Sequence, residues 1–477
     1  MNEVEFPPAE RVNLFGNFTR GELTGAALAT GVFGVGAMTG QLVPALVATA
    51  LISIWTFAPT RRRPFRLLVP SALRWAVRRD RTWSAPITGP GQGPAFLHGV
   101  EVQLAAADAN PDPVGVVVSR RSYTVMFTVD RAALTFSSES EQAQALASWG
   151  EVLGALCVER NTELTAERVG WTDVHRAADP AALVRYHDAN GVDGPASSDY
   201  SDHLATFGTL AAEHDVLVWA TVSQAGRFRL AKRSGMRGTV TEVMHAAAIR
   251  AGLTLRGELE DRGFAVGALM SPAEIGRVVT AAMDPYRPTV PTTRRERFAL
   301  PERTIPESQV TVERDMVVVD RAYHRCFAVE WPTVAVQGEW LWKPLAVDGP
   351  KIATTVFEPV PPSRADRQRD SRRSIGSRNN VSAATEGDGH VRVKNLKKVD
   401  ALQRAERAVS EGHGELDAYM LIVVSATSRD ELERRCHTLR RRLRESGHAS
   451  VRELSGTHDT ALAAALPLGM RVGSESG

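Results

Sequence analysis

The chain has 477 residues, of which 43% are hydrophobic and 23% are charged, and its mean hydropathy is −0.18. Because 57 basic residues nearly balance 55 acidic ones, the net charge of +2 gives no electrostatic reason to expect nucleic acid as the main partner. The 3 cysteines are far apart in apolar segments, which is typical of buried thiols in a reducing compartment.

Residues 23–60 form an uncharged, strongly apolar segment near the amino terminus. A polar turn at Thr39–Gln41 divides it into two apolar stretches, Leu23–Met38 and Leu42–Phe57, each long enough for a short crossing of a bilayer core about 30 Å thick. We therefore expect a transmembrane helical hairpin over 23–60, after a cytoplasmic arm over 1–22. A hairpin buried in a protein core is the alternative. The position of the charges and the length of the apolar stretch disfavour a secretory signal peptide.

The segment after the hairpin, 61–95, is predicted to be a basic helix and linker lying along the membrane surface. Its membrane-interface residues are predicted to be Arg61, Arg62, Arg63, Arg66 and Trp75. Since basic residues stay on the cytoplasmic side, we expect an inner-membrane protein that contacts lipids and has the bulk of its chain in the cytoplasm. An ordinary amphipathic helix of the body is the alternative for this segment.

Residues 96–284 are predicted to form a first α+β domain. Residues 112–130 indicate two strands joined by a tight turn, and 137–159 indicate a helix with one apolar face. Strands follow at 167–175 and 215–222, with helices predicted over 201–213 and 238–252. The segment "LTLRGELEDRGFAVGALM" is interpreted as a strand region before a last helix. We expect sheets covered by helices on one face.

A Pro/Thr/Arg-rich connector at 285–308 leads to a predicted second α+β domain over 309–470, with a flexible insert at 371–393 and a tail at 471–477. The pattern "VVVSRRSYTVMF" of the first domain returns here as "VVVDRAYHRCFAV". The two domains therefore suggest a tandem duplication of a ferredoxin-like unit, with chance similarity of short valine strands as the alternative.

The sequence contains no phosphate-binding loop, no His-Glu-x-x-His or Cys-x-x-Cys spacing and no calcium loop. We therefore predict no catalytic residues, no cofactor and no metal site, and a protein that is not an enzyme. On the predicted helix 428–446, a polar stripe is available to a partner, and we assign a docking role to Arg435, Arg441 and Arg442. A solvated helix face is the alternative. Direct nucleic-acid contact through arginines beside 371–393 stays open.

Several motifs together resemble a group of actinobacterial membrane proteins encoded in conjugative-element loci. The motifs are "RRRPFRLLVPSALRW", "YTVMFTV", "ALASWGEVLGAL", "VEWPTV", "VFEPVPPSRA", "GHGELDAYMLIVVSA" and "THDTALAAALPLG". That group is similar to a PrgI-type membrane hairpin fused to the amino-terminal, non-ATPase part of conjugative type IV secretion ATPases. In those ATPases a segment like "LPLG" precedes the motor domain, so the resemblance implies the docking platform without the motor.

The resemblance implies an inner-membrane scaffold or channel subunit of a conjugative, type IV-like secretion system. Such a subunit would dock a separate ATPase, contact other channel subunits and assemble with itself. The alternative is an EccE-like component of a type VII secretion translocon, and a membrane-anchored enzyme is a third possibility. Neighbouring genes would distinguish the first two: a relaxase and a DNA-pumping ATPase, or a mycosin protease with small Trp-x-Gly substrates.

Overall fold

A computed structural model describes most of the body of the chain. The described residues are 3–4, 13–15, 18–57, 82–84, 97, 100–107, 110–119, 122–130, 139–157, 166–177, 184, 187, 199–200, 203, 212–224, 239–287, 309–330, 336–337, 347–360, 416–445 and 450–470. Several predictions lie outside them: the interfacial residues Arg61, Arg62, Arg63, Arg66 and Trp75, most of the connector 285–308, the insert 371–393 and the tail 471–477.

Two antiparallel helices, α1 (Arg20–Met38) and α2 (Leu42–Phe57), form the predicted hairpin. The chain turns at Gly40, whose φ of +73° suits a glycine. A Cβ atom on Gly36 would lie 2.0 Å from the Cβ of Ala45, so this glycine sets how closely the helices approach. Three short strands accompany the hairpin: β1 (Glu3–Val4), β2 (Asn13–Phe15) and β3 (Phe18–Thr19).

The prediction that this hairpin spans a membrane is wrong. Among the described residues, no helix is both long and apolar enough to cross a bilayer. The 16 residues of α2 rise only about 24 Å, against a hydrocarbon core of about 30 Å. The 19 residues of α1 include the charged Arg20 and Glu22 in its first turn. The inner-membrane location predicted from the hairpin is contradicted by the same finding.

The body is built on one antiparallel sheet of 13 described strands. The strands of its first half are β5 (Val100–Ala107), β6 (Asn110–Ser119), β7 (Ser122–Val129), β8 (Arg168–Ala177), β9 (Ala212–Ser223) and β10 (Val266–Leu269). The other half contains β4 (Thr82–Ser84), β11 (Gln309–Val312), β12 (Val317–Val319), β13 (Ala322–Glu330), β15 (Lys351–Pro359), β16 (Leu416–Ala426) and β17 (Ser450–Glu453). A further strand, β14 (Val336–Gln337), pairs with β1 outside this sheet.

Five helices of the described part of the chain cover the sheet. They are α3 (Glu139–Cys157), α4 (Val240–Glu260), α5 (Pro272–Met283), α6 (Arg429–Glu445) and α7 (His458–Ala465). On one face, α3 and α4 pack on the first half and α6 packs on the second half. On the other face, α5 and α7 share a single core that runs across both halves. The prediction of sheets covered on one face is therefore wrong, although the α+β class is as expected.

The two halves have the same order of elements. In the first unit the strands lie in the order β10–β7–β9–β8, and in the second unit β17–β13–β16–β15. Numbered along the chain, each is the order 4-1-3-2 of a ferredoxin-like unit. The hairpins also agree: Val118 pairs with Tyr123 in the first unit, and Val318 pairs with Tyr323 in the second.

The units join edge to edge through antiparallel pairing of β8 with β15, which we call the seam. Thr172 of β8 and Thr354 of β15 lie directly opposite each other at equivalent positions of the two units. Their hydroxyl oxygens are 3.1 Å apart, and both residues are fully buried. An internal pseudo-twofold axis therefore passes through this threonine pair.

Two predicted elements differ from the structure. Helix α4 continues to Glu260, through residues predicted as the start of a strand region. It does so because Ala251, Leu255 and Leu259 follow helical spacing and are all buried. The predicted helix 201–213 is wrong at its end, since β9 already begins at Ala212.

Candidate functional site

The predicted docking residues lie on α6, which four buried side chains fix to the sheet: Leu432, Cys436, Leu439 and Leu443. Arg441 points outward and pairs with Glu445 at 3.6 Å. Arg442 is half-buried. The structure therefore leaves Arg441 on the surface of α6, with Arg434 and Arg444 also exposed on this helix.

Arg435 points inward instead. Its guanidinium pairs with Glu431 at 2.6 Å and donates a hydrogen bond to the Tyr286 hydroxyl at 2.9 Å. It also donates to the backbone carbonyl of Ser425. These contacts tie α6 to the end of β16 and to the segment after α5, so Arg435 holds the fold together and offers little surface to a partner.

A row of titratable side chains crosses the seam on the face that carries α3, α4 and α6. Lys351 of β15 pairs in register with His175 of β8, and His175 pairs with His214 of β9. Asp173 lies two residues before His175, and side chains two apart on a strand share a face. Three neighbouring strands thus bring two imidazoles, a carboxylate and an ammonium group together; we call these four residues the seam cluster.

Two imidazole nitrogens converge on one carboxylate oxygen of the seam cluster. The Nε2 atom of His175 lies 3.1 Å from Oδ1 of Asp173, and the Nδ1 atom of His214 lies 3.7 Å from the same oxygen. Asp173 and His175 are buried, whereas the His214 side chain is 40% exposed. The seam side of the cluster is therefore shielded from solvent, whereas His214 is accessible to it.

Burial dominates the electrostatics of the cluster. It lowers the pKa of His175, although the hydrogen-bonding and charge interactions with Asp173 act in the opposite direction. Burial also lowers the pKa of Lys351 to about 8, again against the attraction of Asp173. The Lys351 ammonium group donates a hydrogen bond of 2.7 Å to the backbone carbonyl of Val347. The imidazole of His175 is thus neutral near pH 7, and the positive charge beside Asp173 resides on Lys351.

The pseudo-twofold axis relates the row of the seam cluster to an equivalent row at the other end of the seam. The row related to Lys351–His175–His214 by the pseudo-twofold axis consists of Val169, Phe357 and Ala418. Around it, Trp149 makes edge-to-face contacts with Trp171 and Phe357, at centroid distances of 5.1 Å and 5.9 Å. One end of the seam is therefore filled with apolar and aromatic side chains, while the other end carries the seam cluster.

Comparison with known proteins identifies no family model that matches the chain, and no curated protein matches it. The function therefore has to be inferred from the residues themselves.

The seam cluster is not among the residues predicted from the sequence. The predicted strand 167–175 contains Asp173 and His175, whereas His214 falls between the predicted helix 201–213 and the predicted strand 215–222. A usable signal is present, because "WTDVH" places Asp173 and His175 on a strand face whose preceding member, Trp171, is apolar. The third residue, His214, is brought next to them only by the pairing of β8 with β9. Two histidines and a carboxylate on neighbouring strands are suited to metal coordination, proton transfer or a structural polar network.

Proposed function

We propose that this chain is an assembly subunit of a conjugative, type IV-like secretion machine, which binds a separate ATPase and further copies of itself. The class of machine comes from the motif resemblance described above. The observation that supports a docking role is the outer side of α6, where exposed arginines stand on a helix that four buried side chains hold rigidly. A pre-ordered helix loses little conformational entropy on binding, which favours its use as a docking surface.

Because Arg435 points inward, it does not belong to the proposed docking surface. Charge reversal at Arg435 would break its contacts with Glu431 and Tyr286, so a loss of binding would not distinguish docking from damage to the fold. Arg434, Arg441 and Arg444 are exposed, and substitutions at such positions usually change stability by less than about 0.5 kcal/mol. They are the residues to test.

The experiment is co-purification of the full chain with the secretion ATPase encoded in the same locus. We expect the wild type to retain the ATPase and the triple variant Arg434→Glu, Arg441→Glu, Arg444→Glu to lose it. The matched control is Arg250→Glu, which reverses an exposed arginine on α4, the equivalent helix of the first unit. No retention by the wild type would refute the proposed partner. Retention by the triple variant would exclude this face of α6.

A further inference from the structure

We propose that Asp173, His175 and His214 bind a divalent transition-metal ion of the zinc class. This inference goes beyond the docking role and does not depend on it. The ligand set combines two imidazoles and one carboxylate, which suits zinc and related first-row metals and differs from the all-oxygen sets preferred by calcium and magnesium.

The distances fit ligands of a shared ion. Metal–ligand bonds of about 2.1 Å in a tetrahedral site separate the ligand atoms by about 3.4 Å. The observed separations from Oδ1 of Asp173 are 3.1 Å to His175 and 3.7 Å to His214, and all three ligand atoms lie within 4.8 Å of one another. Each of the two separations from the carboxylate oxygen is therefore within about 0.3 Å of the value expected for a tetrahedral site.

The buried Nε2 atom of His175 faces one protein atom, Oδ1 of Asp173, at 3.1 Å. Among the described residues, no other side chain is a hydrogen-bond partner of this nitrogen. Only 7% of His175 is exposed to solvent. A buried imidazole nitrogen and a carboxylate oxygen that face each other at this distance are arranged as two ligands of one ion would be.

The difference between the two ends of the seam also supports a metal site. The equivalent end of the seam closes with Val169, Phe357 and Ala418, which shows that apolar packing satisfies this position of the fold. The other end instead carries a carboxylate and two imidazoles, which are metal-ligating groups. Because His214 is partly exposed, the three protein ligands leave a position on the solvent side for water, as in open zinc sites.

The test uses the full-length chain, freed of metal with a chelator that is then removed, and titrated with Zn²⁺ in a calorimeter. We expect saturable binding of one ion per chain and a rise in the thermal midpoint. Substituting Co²⁺ for Zn²⁺ gives a second readout, since a tetrahedral N/O site produces visible absorption bands. Absence of saturable Zn²⁺ binding by the wild type would overturn the proposal.

The decisive variant is His214→Gln, since this side chain is partly exposed and its loss should leave the fold intact. We expect the affinity for Zn²⁺ to fall by more than about 100-fold, because even outer-shell partners of a metal contribute 10- to 100-fold. The matched control His437→Gln removes an exposed histidine from α6 and should bind like the wild type. Far-UV circular dichroism of the metal-free variants checks the fold. Unchanged affinity in a folded His214→Gln protein would contradict the proposed site.

Discussion

His324 and Met283 connect the two units of the sheet. The Nε2 atom of His324, on β13, lies 2.7 Å from the backbone carbonyl oxygen of Met283, the last residue of α5. Because a carbonyl oxygen only accepts, Nε2 carries the proton and Nδ1 accepts from the Ser425 hydroxyl at 2.9 Å. The neutral imidazole is thus fully satisfied inside the core, and it anchors the end of a first-unit helix to the second unit.

The reciprocal contact is made by Gly469, which follows α7. A Cβ atom on Gly469 would lie 2.2 Å from Oγ1 of Thr124 and 2.4 Å from Oγ1 of Thr221, so only a glycine fits here. The two threonine hydroxyls are 2.8 Å apart and occupy the positions that His324 and Ser425 occupy in the second unit. The segment after the last helix of each unit therefore ends against a polar pair of the other unit.

We predict that stability falls as the pH decreases from about 6.5 to 4. Burial lowers the pKa of His324 to about 4, whereas an unfolded histidine titrates near 6.5. Between these values the unfolded state binds the proton and the folded state does not, so acidification favours unfolding. This residue should account for a loss of up to about 3 kcal/mol. Urea unfolding at several pH values measures it.

The matched variant for that measurement is His324→Gln, whose amide group is able to donate to the Met283 carbonyl but does not titrate. The variant should be less stable at pH 7 and show a smaller decrease towards pH 4. Asp284, next to Met283, has a pKa raised by burial, so its contribution has the opposite sign. Comparing wild type and variant at each pH cancels that contribution. Equal pH dependence in the two proteins would refute the assignment to His324.

We predict that Thr172→Val destabilises the seam. The Thr354 hydroxyl lies within hydrogen-bonding distance of both the backbone carbonyl of Ala465 and Oγ1 of Thr172, and Thr172 accepts a hydrogen bond from Nε1 of Trp219 at 3.1 Å. Valine has nearly the same shape but leaves the indole N–H without its acceptor, at a cost of about 1–3 kcal/mol. Thermal unfolding measures the change. The control Thr355→Val, on the other face of β15, should be nearly neutral.

Much of the α+β body follows from its sequence. Strands β7 and β16 have long apolar runs, and α6 has a four-residue apolar stripe within a charged helix, so local periodicity is sufficient to identify them. The recurrence of a three-valine strand followed by an aromatic strand indicates a repeat, and the register shows Val118–Tyr123 and Val318–Tyr323 as equivalent pairs.

What sequence periodicity cannot supply is pairing between distant strands. The seam depends on the register of β8 with β15, and the seam cluster depends on residues of three strands meeting at one level. The prediction that the apolar hairpin spans a membrane is wrong because apolar composition does not by itself indicate a membrane. The 16 residues of α2 are too few to cross a bilayer. The predicted helix 238–252 ends at Gly252, but this glycine lies inside α4 and lets the helix approach Val125 of β7.

We predict that Gly170→Ala is strongly destabilising. A Cβ atom on Gly170 would lie 1.9 Å from two ring atoms of Trp219, which is fully buried and rigid. Overpacking of this kind costs about 1–3 kcal/mol, and here the clash with a large ring places it at the upper end. Denaturant unfolding measures it. The control Gly154→Ala on α3 meets no atom within 4 Å and should be neutral or slightly stabilising. Equal effects of the two substitutions would contradict the close approach of Gly170 to Trp219.

We predict that Lys351→Met increases the affinity of the chain for Zn²⁺. The Lys351 ammonium group is buried next to His175 in the seam row and repels a cation bound there, while methionine has a similar volume and no charge. Removing one unit charge from such a site should strengthen binding by about tenfold, equivalent to roughly 1.4 kcal/mol of relieved repulsion. The metal-free variant should be less stable than the wild type, because Asp173 then lacks its cationic neighbour, so Zn²⁺ should raise its thermal midpoint by a larger amount. The control Arg250→Met removes a surface charge on α4 and should leave the affinity unchanged. An unaltered Zn²⁺ affinity in Lys351→Met would mean that the ion binds away from this row.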